Sequence, residues 1–239
     1  MTGIVLLHPL GVDHRFWDPV RKALPAELSP VIAPDLLGHG KAPLPSPAPT
    51  IEEYADAVEA EVAGGPPVHL VGVSLGSLVA QVLAARAPEL IDHVVLADGV
   101  TVYPEAMRSM WRERAGTVRA EGLAAVVEPM ESLWFSPSYR ATSHEQITSV
   151  RSLFLANDPE GYARTCEALA VVDLTEQVGS ITAPTLVACG RDDAPPFRAA
   201  TDWLAENLPD GRAVWLRGGH ATAYERPEEF AEVVAGFLR

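Results

Sequence analysis

The chain has little cysteine and no long apolar run, and each shortage excludes a class of protein. Its 239 residues include only Cys166 and Cys189, too few for a disulfide framework and typical of a reducing cytoplasm. Apolar runs such as Ile4–Leu7 are far shorter than a membrane-spanning helix. No basic segment followed by an apolar one resembles a secretory signal. We therefore expect a cytoplasmic protein without a membrane-spanning segment.

Basic residues are also scarce relative to acidic ones. The chain has 18 Lys and Arg against 32 Asp and Glu, which gives a net charge of −14. A field of this sign repels nucleic-acid phosphates, and no local basic cluster offsets it. The composition argues against nucleic acid as a partner and favours a small molecule. It leaves the oligomeric state open.

What the sequence does contain is an alternation of short apolar runs with helical patterns. Runs that are almost wholly apolar are typical of parallel strands covered on both faces. Right-handed crossovers then give a doubly wound, mostly parallel α/β sheet. The predicted strands are Ile4–Leu7, Val31–Ala33, Val68–Val73, Val94–Ala97, Thr185–Ala188 and Ala213–Leu216; the predicted helices are Phe16–Leu24, Ile51–Val62, Leu75–Ala87, Phe197–Asn207 and Glu228–Leu238.

The interval 104–178 breaks this alternation. Its patterns are helical, and it contains no convincing strand. A helical insertion between two strands usually lies over the strand ends. We predict a helical cap of residues 104–178 inserted into a core of residues 1–103 and 179–239. The predicted cap helices are Met107–Val118, Gly122–Glu131, His144–Leu155 and Pro159–Ala170.

A Gly-x-Ser-x-Gly sequence centred on Ser74 joins an apolar strand to a helix. In that context the motif indicates a sharp turn that exposes the serine hydroxyl as a nucleophile. The flanking Gly72 and Gly76 lack the Cβ atoms that would collide in such a turn. The plainer interpretation is a helix-capping serine. The position directly after the strand Val68–Val73 favours the nucleophile.

A serine nucleophile needs a base, and the base needs a carboxylate. Of seven histidines, His220 follows the last strand and lies on a loop at the same sheet edge as Ser74. We interpret His69 and His93, in or beside strands, as structural. Asp192 and Asp193 follow the strand Thr185–Ala188, on a loop that also lies at that edge. We favour Asp193 as the acid, with Asp192 as the alternative.

An oxyanion requires two backbone donors close to the nucleophile. The N–H of Leu75, directly after the nucleophile, is one candidate. The loop after the first strand should supply the other, and because Pro9 has no N–H, Leu10 is the candidate there. No metal-ligand spacing and no Gly-x-Gly-x-x-Gly loop is visible, so we expect neither metal nor cofactor.

Together these residues resemble the α/β-hydrolase fold over nearly the whole chain. Residues 7–11 resemble the family's oxyanion loop, and residues 35–40 resemble its Asp-x-x-Gly-x-Gly turn, which implies a structural role for Asp35. Within the fold, Trp134-Phe135-Ser136-Pro137 and residues 157–162 resemble the 3-oxoadipate enol-lactonase group. The resemblance implies a serine hydrolase that cleaves a small ester or lactone through an acyl-enzyme. The family's leading β-hairpin has no counterpart here, which predicts a shortened sheet.

The cap carries the information on substrate. Its apolar residues are mostly cap core, and we expect Trp111, Leu133, Trp134 and Phe135 to line the pocket. Leu133 stands where the resembled group typically has an arginine before its Trp-Phe pair. This difference favours neutral lactones and esters over a carboxylated lactone. Arg108, Arg112, Arg114, Arg140 and Arg151 are alternative partners for a carboxylate.

Other activities fit the same motifs. A carbon–carbon bond hydrolase or a haloperoxidase-like esterase would share the triad. A ligand-binding receptor or partner module of this fold can also retain it. Turnover at roughly 1–1000 per second would distinguish an enzyme from a receptor. The complete set of triad residue types favours an enzyme.

Overall fold

Six parallel strands form the centre of the protein. The structure is a computed structural model that describes residues 2–239. The strands are arranged in the order β2-β1-β3-β4-β5-β6, and every neighbouring pair is parallel. They are β1 (Ile4–Leu7), β2 (Val31–Ile32), β3 (Val68–Val73), β4 (Ile91–Ala97), β5 (Thr185–Gly190) and β6 (Gly211–Leu216).

Helices flank this sheet and confirm the predicted α/β class. Helix α1 (Asp18–Ala23) packs against α11 (Pro227–Phe237), and α2 (Ile51–Val62) packs against α3 (Leu75–Arg86). Helix α9 (Pro195–Asn207) covers β5 and β6, and the short α10 (Thr222–Glu225) precedes α11. Within residues 2–239, no helix is both long and apolar enough to cross a membrane.

The strand order reverses between β1 and β3. The chain runs outward from β1 to β2, returns to β3, and continues outward in the other direction to β6. In open α/β sheets, ligands bind at the carboxyl ends of the strands beside such a reversal. The loop after β1 and the turn after β3 both lie at this point.

The residues of the predicted cap form five α-helices. They are α4 (Glu105–Glu121), α5 (Val127–Trp134), α6 (Pro137–Thr142), α7 (His144–Leu155) and α8 (Pro159–Val171). Helices α4 and α8 pack along each other. This cap segment contacts the carboxyl edge of the sheet, since Asn157 Nδ2–H donates to Gly11 O at 2.8 Å.

Several boundaries differ from the sequence predictions. The helix predicted over Phe16–Leu24 is a 3-10 turn, His14–Trp17, followed by α1, because Pro19 fits only the first turn of a helix. Helix α6 was not predicted; it begins at a proline, and the Ser136 side chain caps it. Strand β4 begins three residues earlier than predicted, at Ile91, where the register with β3 shifts.

Candidate active site

Ser74 occupies a strained turn between β3 and α3. Its φ of 53° and ψ of −109° lie in a region that non-glycine residues rarely adopt. A Cβ on Gly72 would collide with the carbonyl oxygen of Gly76, and a Cβ on Gly76 would collide with that of Leu7. The two glycines therefore allow helix and strand to meet closely. The turn is anchored by a 2.9 Å hydrogen bond from Ser74 N–H to Ala97 O.

His220 lies beside the serine hydroxyl. Its Nε2 is 2.9 Å from Ser74 Oγ, and the residue is only 3% exposed. The Phe197 ring packs against the imidazole with a centroid separation of 4.1 Å. When Nδ1 carries the ring proton, Nε2 can accept the proton of Ser74.

Asp193 fixes the other side of the imidazole. Its Oδ2 accepts from His220 Nδ1–H at 2.9 Å, and its Oδ1 accepts from Ala194 N–H at 2.6 Å. Asp192 is exposed, and its backbone N–H donates to Gly218 O. The structure thus brings Asp193, and not Asp192, to His220. The distinction follows from burial, which the sequence of two adjacent aspartates does not reveal.

The electrostatics of this group favour a basic imidazole. Burial lowers the pKa of His220, but the charge and hydrogen bond of Asp193, together with the charge of Asp98, outweigh it. The net result is a pKa above the ordinary value for histidine. A base of this kind gains proton affinity from its carboxylate partner.

Sequence reasoning missed Asp98, a second buried carboxylate near the triad. It follows β4 with a φ of 47°, and its Oδ1 accepts from Gly190 N–H at 2.9 Å. Its Oδ2 accepts from Thr222 N–H and Oγ–H at 3.1 and 2.6 Å. Burial, and then the charge of Asp193, raise the pKa of Asp98 to about 7. An acidic residue directly after an apolar strand was the available sequence signal.

Asp98, Cys189 and Asp193 offer three potential metal ligands within 4.8 Å of one another. The carboxylate oxygens of both aspartates already accept hydrogen bonds from protein groups. The arrangement is therefore better matched to orienting loops than to binding a cation.

Glu225 connects the cap segment to the loop that carries His220. Its buried carboxylate accepts from Ser136 N–H at 3.0 Å, Ser136 Oγ–H at 2.5 Å and Gly219 N–H at 3.1 Å. Gly219 directly precedes His220. The Glu225 carboxylate therefore connects the cap segment, through Ser136, to the backbone beside the imidazole. Sequence reasoning gave no role to Glu225.

The two predicted oxyanion donors lie at the same sheet edge. Leu75 is the first residue of α3, so its N–H has no acceptor within the helix. Leu10 follows β1, and its N–H has no hydrogen-bond partner within residues 2–239. The register pairs Leu7 with Gly72, which places the Leu10 loop beside the Ser74 turn.

His8 shapes the Leu10 loop. Its Nδ1–H donates to Pro9 O at 2.8 Å, and its Nε2 accepts from Leu36 N–H at 2.9 Å. Burial lowers its pKa and favours this neutral form. Asp35, in the adjoining turn, accepts from the backbone N–H groups of His14 and Lys41. Within residues 2–239, neither side chain forms a hydrogen bond with Ser74.

The four residues expected to line the pocket occupy different environments. Trp134 O accepts from Ala221 N–H at 2.9 Å, so the Trp134–Phe135 segment lies against the His220 loop. Trp111 is buried, with its ring 5.7 Å from that of Tyr103. Leu133 is half-buried against the apolar core. Contact of these residues with substrate stays a prediction.

Known proteins are similar to this chain in sequence and in architecture. The family model described as "Alpha/beta hydrolase family" matches residues 4–233. A 3-oxoadipate enol-lactonase of Acinetobacter baylyi is 29% identical over 99% of this chain and 88% of its own length. A putative carbamate hydrolase, RutD, of Azorhizobium caulinodans is 27% identical over 99% of this chain and 91% of its own.

The structural comparison agrees with the sequence comparison. The crystal structure of the enol-lactonase from Burkholderia xenovorans LB400 superposes with a TM-score of 0.92 at 30% identity. The superposition covers 99% of this chain and 91% of that one. The chain belongs to the alpha/beta hydrolase family.

Proposed function

We propose that this protein is a serine hydrolase that cleaves a small-molecule carboxylic ester or lactone in the cytoplasm. The observation that carries the proposal is the continuous hydrogen-bonded chain from Ser74 through His220 to Asp193, with both links at 2.9 Å. A buried base between a strained serine and a carboxylate is the arrangement that activates a hydroxyl for acyl transfer.

The first half of the reaction forms an acyl-enzyme. His220 Nε2 removes the proton from Ser74 Oγ as that oxygen attacks the substrate carbonyl carbon. The backbone N–H groups of Leu75 and Leu10 stabilise the oxyanion. Protonated His220, held by Asp193, then donates its proton to the leaving oxygen, and the C–O bond breaks.

The second half releases the acid. His220 removes a proton from water, and the resulting hydroxide attacks the acyl carbon bonded to Ser74 Oγ. Collapse of the tetrahedral intermediate breaks the bond to Oγ, which regains its proton from His220. Each step uses only side chains, backbone N–H groups and water, so the proposed reaction needs no cofactor.

Two features support an ester or lactone substrate. The relative in Acinetobacter baylyi and the structural neighbour from Burkholderia xenovorans are both named enol-lactonases. In addition, Trp134 and Phe135 pack an aromatic cap segment against the His220 loop, which would place an apolar wall near a bound substrate. The proposed partner is therefore a small molecule.

The charges of the cap segment favour a neutral substrate. Leu133 offers no positive charge, and Arg140 is exposed and donates to Ser132 Oγ. Three other arginines are already engaged: Arg112 with Glu105, Arg151 with Glu131, and Arg108 with the carbonyl oxygens of Tyr103 and Val172. Arg114 is half-buried, and its guanidinium lies over the Trp111 ring, 5.1 Å from the ring centre.

Carbamate hydrolysis is a second candidate, favoured by the similarity to the putative carbamate hydrolase. The same triad and oxyanion donors would serve a carbamate carbonyl. An aryl carbamate would lose its aryl oxygen as an aryl ester does, whereas a carbamate that expels its amine would need His220 to protonate the nitrogen first.

A substrate panel tests the proposal. Aryl esters, neutral lactones, 3-oxoadipate enol-lactone and aryl carbamates are incubated with the protein, with Ser74→Ala as control. We expect repeated turnover of at least one ester or lactone and loss of turnover in the variant. Preference for carbamates would replace the ester proposal. Binding without repeated turnover on any compound would contradict enzymatic function and favour a receptor.

A further inference from the structure

Two histidines meet at the end of the sheet opposite Ser74. His69 and His93 are paired in the register of β3 and β4, and their ring centroids are 5.3 Å apart. The register shifts between Val68 and His69, so that Asp92 has no partner of its own in β3. This irregularity brings the Asp92 carboxylate to the same place as the two imidazoles.

The three side chains converge on one point. Asp92 Oδ2 lies 3.3 Å from His69 Nδ1 and 3.1 Å from His93 Nδ1. One ligand atom from each residue lies within 4.8 Å of the other two. His69 and Asp92 are far apart in sequence. The cluster therefore has no short metal-ligand spacing by which the sequence could have predicted it.

His69 supplies an independent reason to expect a ligand there. Its side chain is 6% exposed, and its Nδ1 is buried without a hydrogen-bond partner, although Asp92 Oδ2 is only 3.3 Å away. A buried polar atom without a partner is costly.

We propose that His69 Nδ1, His93 Nδ1 and an Asp92 carboxylate oxygen bind a divalent transition-metal ion, with Zn²⁺ as the preferred occupant. Zn²⁺ is bound by histidine nitrogen and carboxylate oxygen at about 2.0–2.2 Å in tetrahedral sites, so neighbouring ligand atoms lie about 3.3 Å apart. The two separations to Asp92 Oδ2 match this spacing. Water supplies the fourth ligand, since Asp92 and His93 are partly exposed.

This metal would lie apart from the candidate active site. His69 lies near the start of β3, whereas Ser74 follows the end of the same strand. The site would join the amino ends of β3 and β4 and contribute no group to the Ser74 chemistry. Its existence is therefore independent of the proposed hydrolase activity.

The test is metal binding by the tag-free, chelator-stripped chain. Calorimetric titration with Zn²⁺ should give one ion per chain, and Co²⁺ should give visible absorption bands typical of a tetrahedral site. Asp92→Asn and His93→Gln each remove one partly exposed ligand and should weaken Zn²⁺ binding by at least about tenfold. His144→Gln, on the exposed start of α7, is the matched control and should bind as the parent does.

Thermal unfolding and serine labelling complete the test. Zn²⁺ should raise the Tm of the parent and of His144→Gln more than that of the two ligand variants, since an ion bound only to the folded state stabilises it. Fluorophosphonate labelling of Ser74 should be the same with and without Zn²⁺. The proposal would be overturned if Zn²⁺ did not bind one-to-one. It would also be overturned if Asp92→Asn and His93→Gln bound Zn²⁺ as tightly as the parent does.

Discussion

Asp98 holds Thr222 through two hydrogen bonds, from the backbone N–H at 3.1 Å and from the hydroxyl at 2.6 Å. Thr222 lies two residues after His220, and the other Asp98 oxygen accepts from Gly190 N–H, three residues before Asp193. One buried carboxylate therefore ties the loop of the proposed base to the loop of the proposed acid.

Asp98→Asn should reduce both stability and turnover. The amide can keep the bond from Gly190 N–H, but its NH2 group then faces the N–H of Thr222. A buried donor left without an acceptor costs about 1–3 kcal/mol, so the free energy of unfolding should fall by about that amount. Denaturant unfolding and kcat measure the two effects. Thr222→Val, which loses only the hydroxyl bond, should have the smaller effect; parent-like kcat in Asp98→Asn would contradict a positioning role.

The second prediction separates the two adjacent aspartates. Asp193→Asn should lower kcat by about 10³–10⁴-fold, because the amide cannot stabilise the protonated imidazole or maintain its tautomer. Asp192→Asn changes an exposed side chain and should leave kcat within a few-fold of the parent. Steady-state kinetics on the best ester compares the two variants. The reverse ranking would show that the structure assigns the wrong aspartate.

The third prediction concerns pH. Burial lowers the pKa of His220, but Asp193 more than offsets it, and the net pKa is raised. Because only neutral His220 can accept the Ser74 proton, kcat/KM should fall as the pH drops through this raised pKa. Asp193→Asn removes the charge that raises it, so the acidic limb of the residual activity should move to lower pH. An unchanged limb would mean that another group controls it.

The fourth prediction concerns substrate charge. A buried carboxylate without a partner costs several kcal/mol, and Leu133 supplies no positive charge. The methyl ester of a carboxylated lactone should exceed the free acid in kcat/KM by about tenfold, equivalent to about 1.4 kcal/mol. Preference for the free acid would contradict this. Arg114→Gln would then identify the compensating cation, with the exposed Arg140→Gln as the matched control.

Most of the fold could be predicted from the sequence. Buried parallel strands such as Val68–Val73 are almost wholly apolar runs, and the Gly72–Gly76 motif marks the turn that follows. Helix α7 has the predicted bounds, His144–Leu155. The exact strand ends were less predictable, because pairing with neighbouring strands decides them. Gly190, for example, extends β5 by pairing with Leu216.

The connections around the candidate site were harder to predict. Ser74 and His220 follow from motif and position, but the contacts of Asp98 and Glu225 join residues that are distant in sequence. The choice between Asp192 and Asp193 depends on burial, and two adjacent aspartates carry no such signal. The cluster around His69 depends on a register shift that no periodicity reveals.

Fluorophosphonate labelling followed by peptide mass mapping tests the central claim most directly. The activated hydroxyl of Ser74 should react with the probe to give one adduct per chain on the peptide that carries it. Ser77→Ala, which changes a buried hydroxyl one turn along α3, should be labelled like the parent. Ser74→Ala should remain folded by circular dichroism and take up no label. An adduct on another serine, or labelling that persists in folded Ser74→Ala, would contradict the assignment of Ser74 as the nucleophile.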